Sequence, residues 1–292
     1  MSKTFAHLPG YEALARLGRG ARAVIYAGRE RGTRRRVAIK HVVRRGPEDD
    51  RFLEQTENEF QIASKLEHPA LRRCLDIVRV RRWLKTQELF LIMEYVDGTR
   101  LEDLYRERRP TRFERVLEVF VQVAEGLRAM HRQGYVHADI KPNNILITPA
   151  WRAKIIDFGQ SCPLGHTKAR IQGTPDYIAP EQVRLNPLDQ RTDVYNFGAT
   201  MYWVVTGKAF STILPNAPAG TRKMDVDSRR RNDAPHLIHA AVPLPLSVLI
   251  MECCQNERDK RPWDMSKVLS RLDTVRHMLH RTAGRAGATA WR

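Results

Sequence analysis

The chain has 292 residues, 42% of them hydrophobic, and carries 50 Lys and Arg against 33 Asp and Glu, for a net charge of +17. That length gives room for one large domain or two lobes with ample core, and the composition is that of a soluble globular protein. The longest apolar run, Ala199 to Val205, is far short of the ~20 residues a bilayer requires, which excludes a membrane-spanning helix. The first ten residues hold no apolar signal core, so the expected location is the cytoplasm. Cys74, Cys162, Cys253 and Cys254 have neither zinc-site nor disulfide-framework spacing and read as reduced structural thiols. Basic clusters at 29–36, 79–85, 106–115 and 222–231 lack interleaved aromatics. Attraction to acidic substrates, nucleic acid or an anionic surface is one reading of them, and solvated arginine-rich faces are the plainer one.

Tyr11 to Leu17 is strand-like and leads into Leu-Gly-Arg-Gly-Ala-Arg-Ala-Val-Ile-Tyr, residues 17–26. Gly18 and Gly20 allow backbone to approach phosphates closely, although a Gly-x-Gly hairpin is commonly only a tight turn. They lie between two strands, which argues against a Rossmann dinucleotide fingerprint. Val37-Ala38-Ile39-Lys40 is an apolar strand with one lysine. Phe52 to Glu67 reads as a helix, with Phe52, Thr56, Glu59, Ala63 and Leu66 on one face. Glu59 therefore places a charge among apolar neighbours and calls for a counter-ion, for which Lys40 is the natural candidate. Leu75 to Leu84 and Glu88 to Glu94 alternate as strands and complete a small antiparallel sheet.

Arg112 to Gln133 predicts an amphipathic helix with Val116, Phe120, Val123, Leu127 and Met130 in one stripe, ending at Gly134 as C-cap. Next come Tyr-Val-His-Ala-Asp-Ile-Lys-Pro-Asn-Asn at 135–144, strand-like runs at Ile145 to Ile147 and Lys154 to Ile156, and Asp157-Phe158-Gly159. A hairpin between the two runs brings Asp139, Lys141 and Asn144 beside Asp157. Two carboxylates, an amide and an ammonium form a set that can hold magnesium, orient a hydroxyl and stabilise phosphoryl charge. Gly173-Thr174-Pro175-Asp176-Tyr177-Ile178-Ala179-Pro180-Glu181 follows a polar stretch, and Asp193 opens an apolar helix to Val205. The interval from Thr206 to Pro245 is rich in proline and arginine and yields no assignment. Pro262 to His280 predicts a final helix, and residues 282–292 a frayed tail.

In this order and spacing the segments resemble the protein kinases, over roughly Tyr11 to Leu272, and are most similar to eukaryotic-like (Hanks-type) serine/threonine kinases of the compact soluble bacterial kind. The resemblance implies an α+β, bilobal fold. Its N-lobe, 1–96, is a small antiparallel sheet with one main helix, and its C-lobe, 97–281, is larger and mainly helical. A tail follows at 282–292, and ATP is expected in the crevice between lobes. It implies a Lys40–Glu59 ion pair, supported by the spacing from Glu59 to His68-Pro69, with Lys40 on the first two phosphates of ATP. Leu17, Gly18, Gly20, Ile25, Ala38, Met93 (the gatekeeper), Glu94, Val96 and Leu146 are the further nucleotide contacts. Asp139 is the implied acceptor of the substrate hydroxyl proton, Lys141 the contact to the transferring phosphate, and Asn144 and Asp157 the ligands of Mg2+ or Mn2+. Thr174 is expected to brace Asp139 and Lys141, Asp193 to cap the catalytic-loop backbone, and Arg261 of Asp259-Lys260-Arg261-Pro262 to pair with Glu181.

The implied function is transfer of the γ-phosphate of Mg-ATP to Ser or Thr hydroxyls of protein substrates. Nucleic acid is not implied as a partner, nor is a membrane span. The alternative is a weak or inactive pseudokinase scaffold that binds nucleotide and partner proteins. Three positions depart from the family pattern: Ala23 replaces the third glycine, Ala138 the arginine before the catalytic aspartate, and Arg170 a commonly phosphorylated threonine. The expectation is that activity does not require an activation-loop phosphate. Ser161, Thr167 and Thr174 are the candidate autophosphorylation sites.

Overall fold

The structure, a computed structural model, describes residues 8–20, 22–110, 112–210 and 232–288. The basic cluster at 222–231 and the last four residues of the expected tail lie outside the described residues. The chain forms two compact units, one of Met1–Asp97 with Asp157–Ser161, the other of Gly98–Ile156 with Cys162–Arg292.

The first unit holds β1 (Tyr11–Arg19), β2 (Ala23–Glu30), β3 (Arg36–Val43), α1 (Asp50–Ala63), β4 (Cys74–Arg82) and β5 (Lys85–Glu94). The strands make one antiparallel sheet in the order β1-β2-β3-β5-β4. Side chains alternate across a strand, so β3 supplies both faces. Val37 and Ile39 join Phe90, Ile92 and Leu8 on one face, and Ala38 and Val42 join Leu89, Leu91 and Met93 on the other. Leu53 of α1 belongs to the second cluster, which places α1 on the Ala38 face. Lys40 shares that parity with Ala38 and Val42 and so points toward α1. The helix ends at Ala63, short of the Glu67 expected, because Lys65 and Leu66 donate to the carbonyls of Ile62 and Ala63 and tighten the last turn.

In the second unit, β6 (Thr99–Arg100) and α2 (Leu101–Tyr105) precede α3 (Phe113–Arg132). The predicted stripe of α3, Val116 to Met130, is at most 2% exposed. Gly134 follows at φ +83°, a left-handed position where glycine avoids a β-carbon penalty, and its N–H donates to His131. Then come β7 (Tyr135–Val136), β8 (Ile145–Ile147), β9 (Ala153–Ile155) and β10 (Cys162–Pro163). β6, β8 and β9 form a three-stranded sheet, and β7 pairs with β10. β9 lies one residue before the run expected; Ile156 adds a further bond to the Asn144 carbonyl beyond the ladder.

α4 (Pro180–Val183) and α5 (Gln190–Thr206) follow, then α6 (Pro235–Ile238), α7 (Leu244–Cys253) and α8 (Met265–Ala288). α5 is buried nearly all round, its buried polar groups Asp193 and Asn196 being hydrogen-bonded, with Phe197 edge-on to Phe120 of α3. α6 and α7 occupy the end of, and the stretch after, the interval that composition left unassigned. α8 begins later than Pro262 because the Asp264 carboxylate accepts the N–H of Lys267 and caps it there. It also runs past His280 to Ala288, so residues 282–288, expected as frayed tail, are helical. All four cysteines are free thiols. Among the described residues no helix is long and apolar enough to cross a membrane.

Candidate active site

Within the first unit, Lys40 Nζ donates to Glu59 Oε2 at 2.6 Å, and the Glu59 side chain is fully buried. Burial opposes the charge on Lys40, but Glu59 and Asp157 outweigh it, and the ammonium pKa is raised above its ordinary value. Periodicity together with the family resemblance indicated this pair. They missed Arg72, whose guanidinium stands 3.6 Å from Glu59 Oε1 and supplies a second cation. Glu59 Oε1 also accepts the Phe158 N–H at 3.4 Å, which ties the Asp157-Phe158-Gly159 segment to α1. Gly159 donates its N–H to Asp157 Oδ1 at 3.0 Å, and a β-carbon on it would meet Gln55 Nε2 at 2.8 Å, so a larger residue would have to displace the Gln55 side chain.

The glycine-rich turn closes through Gly20 N–H to the Ala23 carbonyl at 2.8 Å. Register sets Gly18 opposite Ile25, Ile25 opposite Lys40 and Ala38 opposite Met93. The Ala23 methyl packs against the Ala38–Val42 cluster. Leu17 is exposed, Ile25, Glu94 and Val96 are half-buried, and Met93 is fully buried. Glu94 ends β5, with its N–H donated to the Arg73 carbonyl at 2.9 Å. Leu146, the remaining expected nucleotide contact, belongs to β8 of the second unit and is half-buried.

Within the second unit, Asp139, Lys141, Asn144 and Thr174 form a closed set. Lys141 Nζ donates to Asp139 Oδ2 at 2.8 Å and to Thr174 Oγ1 at 2.7 Å. Thr174 Oγ1 donates to Asp139 Oδ1 at 3.1 Å. Asn144 Nδ2 donates to the Asp139 carbonyl at 2.9 Å and to Oδ2 at 3.2 Å. The nitrogen of Asn144 is thereby committed, which leaves its oxygen as the atom available to a cation. An amide oxygen is a hard donor of the kind that magnesium or manganese takes.

Ala138, immediately before Asp139, has φ +61°, a left-handed conformation that costs a residue with a β-carbon about 1–3 kcal/mol. The surroundings over-determine it. Asp193, buried at the start of α5, accepts the N–H groups of His137 and Ala138, each at 2.8 Å. His131 of α3 adds a third contact to Asp193 at 2.8 Å, which no local pattern foretold. The Ala138 methyl lies in an apolar cluster with Val136, Cys162 and Leu188. Glu181 and Arg261 make a bidentate pair at 2.8 and 2.9 Å, nearly without solvent exposure. Thr192 and the carbonyls of Gln255, Arg191 and Asn256 satisfy the remaining valences of the pair.

The protein kinase domain family matches residues 11–271, and the chain belongs to that family. A probable serine/threonine-protein kinase of Clostridium acetobutylicum is 26% identical over 91% of this chain and 40% of its own length. The serine/threonine-protein kinase PknB of Mycolicibacterium smegmatis is 29% identical over 86% of this chain and 40% of its own length. A probable serine/threonine-protein kinase of Corynebacterium efficiens is 33% identical over 70% of this chain and 32% of its own length. The chain thus spans two fifths or less of the length of these relatives. The bilobal α+β class expected from sequence agrees with the match, with an antiparallel sheet in the N-terminal part and helices in the C-terminal part.

Proposed function

We propose that this chain transfers the γ-phosphoryl group of ATP to Ser or Thr hydroxyls of protein substrates. The observation that carries this reading is the closed Asp139–Lys141–Asn144–Thr174 set, in which a lysine two residues after the aspartate is shared with a threonine of the Gly173–Glu181 segment. In the reaction a bond forms between the acceptor oxygen and the γ-phosphorus, and the bond from that phosphorus to the bridging oxygen of ADP breaks. Asp139 orients the acceptor hydroxyl and takes its proton. Its two carboxylate oxygens are fixed by Lys141, Asn144 and Thr174, so little reorganisation is needed on the way to the transition state. Lys141 offsets charge on the transferring group, and Lys40, held by Glu59, offsets charge on the phosphates of ADP.

Asn144 and Asp157 are the residues that would hold magnesium or manganese. The ion, when bound, neutralises phosphate charge that the two lysines leave. Leu17, Ile25, Ala38, Met93 and Leu146 would supply apolar contacts to the adenine. Glu94 and Val96 would offer it backbone groups, and Gly18 and Gly20 would cover the phosphates. The relatives named as serine/threonine kinases and the position of Lys141 both support hydroxyl acceptors of the Ser/Thr type.

Phosphoamino-acid analysis of a generic basic protein incubated with radiolabelled Mg-ATP and the chain tests this. Phosphoserine and phosphothreonine are expected. Phosphotyrosine alone, or label transferred only to small molecules, would contradict it.

A further inference from the structure

Gln182 is buried in α4, one residue after Glu181, and every hydrogen-bonding valence of its side chain is used. Its Nε2 donates to the Ala138 carbonyl at 2.8 Å and to the Gln172 carbonyl at 3.3 Å. Its Oε1 accepts from the Ala179 N–H and from Asn196 Nδ2, both at 2.9 Å. Asn196 Nδ2 donates as well to the Tyr177 carbonyl at 2.7 Å. One amide therefore joins three elements: the loop that ends in Asp139, the segment that leads into Thr174, and α5.

The two carbonyls it holds are significant. Ala138 carries the left-handed backbone immediately before Asp139, and its own methyl cannot hydrogen-bond. Asp193 fixes the N–H side of that residue and Gln182 fixes the C=O side. Gln172 is two residues before Thr174, whose hydroxyl lies between Asp139 and Lys141. Between them is Gly173, where a β-carbon would come within 3.3 Å of Gln182 Nε2. The amide thus sets both the aspartate and the threonine that touches it.

We infer that Gln182 is a positioning residue for the Asp139 carboxylate, acting through the Ala138 peptide and through Gln172. This rests on the kinase reading above. The site requires two donors and two acceptor lone pairs at once, which a carboxamide has. Leucine has neither. An ionised glutamate offers no donor and sets a charge against two carbonyl oxygens, whereas a protonated glutamate regains one O–H donor beside an acceptor oxygen.

The test uses the 292-residue chain, Mg-ATP and a generic basic protein, with Gln182→Leu and Gln182→Glu compared to wild type from pH 6 to pH 8. Gln182→Leu is expected to lower kcat about 100-fold, as a small misplacement of reacting groups does, with KM for ATP within about twofold of wild type. Gln182→Glu is expected to be impaired at pH 8, and its kcat relative to wild type to rise about tenfold toward pH 6, because a buried carboxyl set against the Ala138 and Gln172 carbonyl oxygens takes up a proton early. Folded Gln182→Glu protein with a flat ratio across that range overturns the inference, as does Gln182→Leu with kcat within about threefold of wild type. If Gln182→Leu does not fold, the pH profile of Gln182→Glu decides. An inactive wild type overturns the kinase reading and this inference with it, whereas an active wild type with indifferent variants overturns the role of Gln182 alone.

Discussion

Glu59 takes three partners, the Lys40 ammonium, the Arg72 guanidinium and the Phe158 N–H, and so couples a strand, a loop and the Asp157 segment within one unit. Removing Lys40 leaves a buried carboxylate with the longer Arg72 contact as its one remaining cation beside the Phe158 N–H, and breaking such a pair costs about 3–5 kcal/mol. Lys40→Met is therefore expected both to abolish phosphoryl transfer and to lower the thermal midpoint. Arg72→Ala should be milder, with folding retained and activity reduced about tenfold, because the shorter Lys40 contact survives. A coupled assay and a melting curve on the two variants check this, and an Arg72→Ala enzyme as dead as Lys40→Met would show that the two cations are not graded as the distances imply. Only half of this cluster was legible in the sequence. Lys40 and Glu59 declare themselves through strand and helix periodicity, whereas Arg72 lies in a segment with no period, where nothing local tells which way a side chain turns.

At the scale of elements, the segment from Cys162 to Glu181 is held by backbone pairing and packing. Cys162 and Pro163 pair with Val136 and Tyr135, Leu164 N–H donates to Gly134 at 2.8 Å, and Gly165 N–H to Leu188 at 2.7 Å. Ala138, in place of an arginine that would bind a phosphate, is one wall of the apolar cluster beneath. Of the three hydroxyls considered as autophosphorylation sites, Ser161 is buried and Thr174 is bonded to Lys141 and Asp139, which leaves Thr167 exposed. Thr167→Ala is expected to keep kcat within about threefold of wild type, and phosphatase treatment to change it no more. Loss of turnover on dephosphorylation would contradict this. The Glu181–Arg261 pair bridges α4 to the turn before α8. Arg261→Ala strands a buried carboxylate and should lower the thermal midpoint by about 10 °C. An unchanged midpoint by calorimetry would contradict that. Both ends of this pair were expected from the family resemblance. Gln182 was not, because a glutamine after Glu181 reads as an ordinary helix residue until the carbonyls facing it are known.

At the scale of the whole molecule, the small antiparallel sheet and the long amphipathic helix α3 followed from alternation and periodicity, whereas the strand order, with β5 between β3 and β4, was not read from them. Helix ends did not follow either, since caps such as Asp264 and tightened turns such as that after Ala63 depend on single hydrogen bonds. The thiols make a prediction at this scale. Burial pushes Cys74 and Cys253 up to about 12 and Cys254 well above its ordinary value. Unfolded thiols ionise near ~8.5, so the native state holds these protons longer than the unfolded chain. Stability is therefore unaffected below that pH and falls as pH rises above it. The urea midpoint should drop between pH 7.5 and 9.5 and do so less in Cys253→Ala. A midpoint that rises or stays level over that interval would contradict the burial of these groups.

The central claim is that Asp139 and Asp157 serve phosphoryl transfer. The measurement that tests it most directly is transfer of radiolabelled phosphate from Mg-ATP to a generic basic protein by the wild-type chain, Asp139→Ala and Asp157→Ala, each shown to be folded by circular dichroism. The account predicts transfer by the wild type and a loss of at least about 100-fold in both variants. Undiminished transfer by either variant, or none by a folded wild type that still binds ATP, would contradict it.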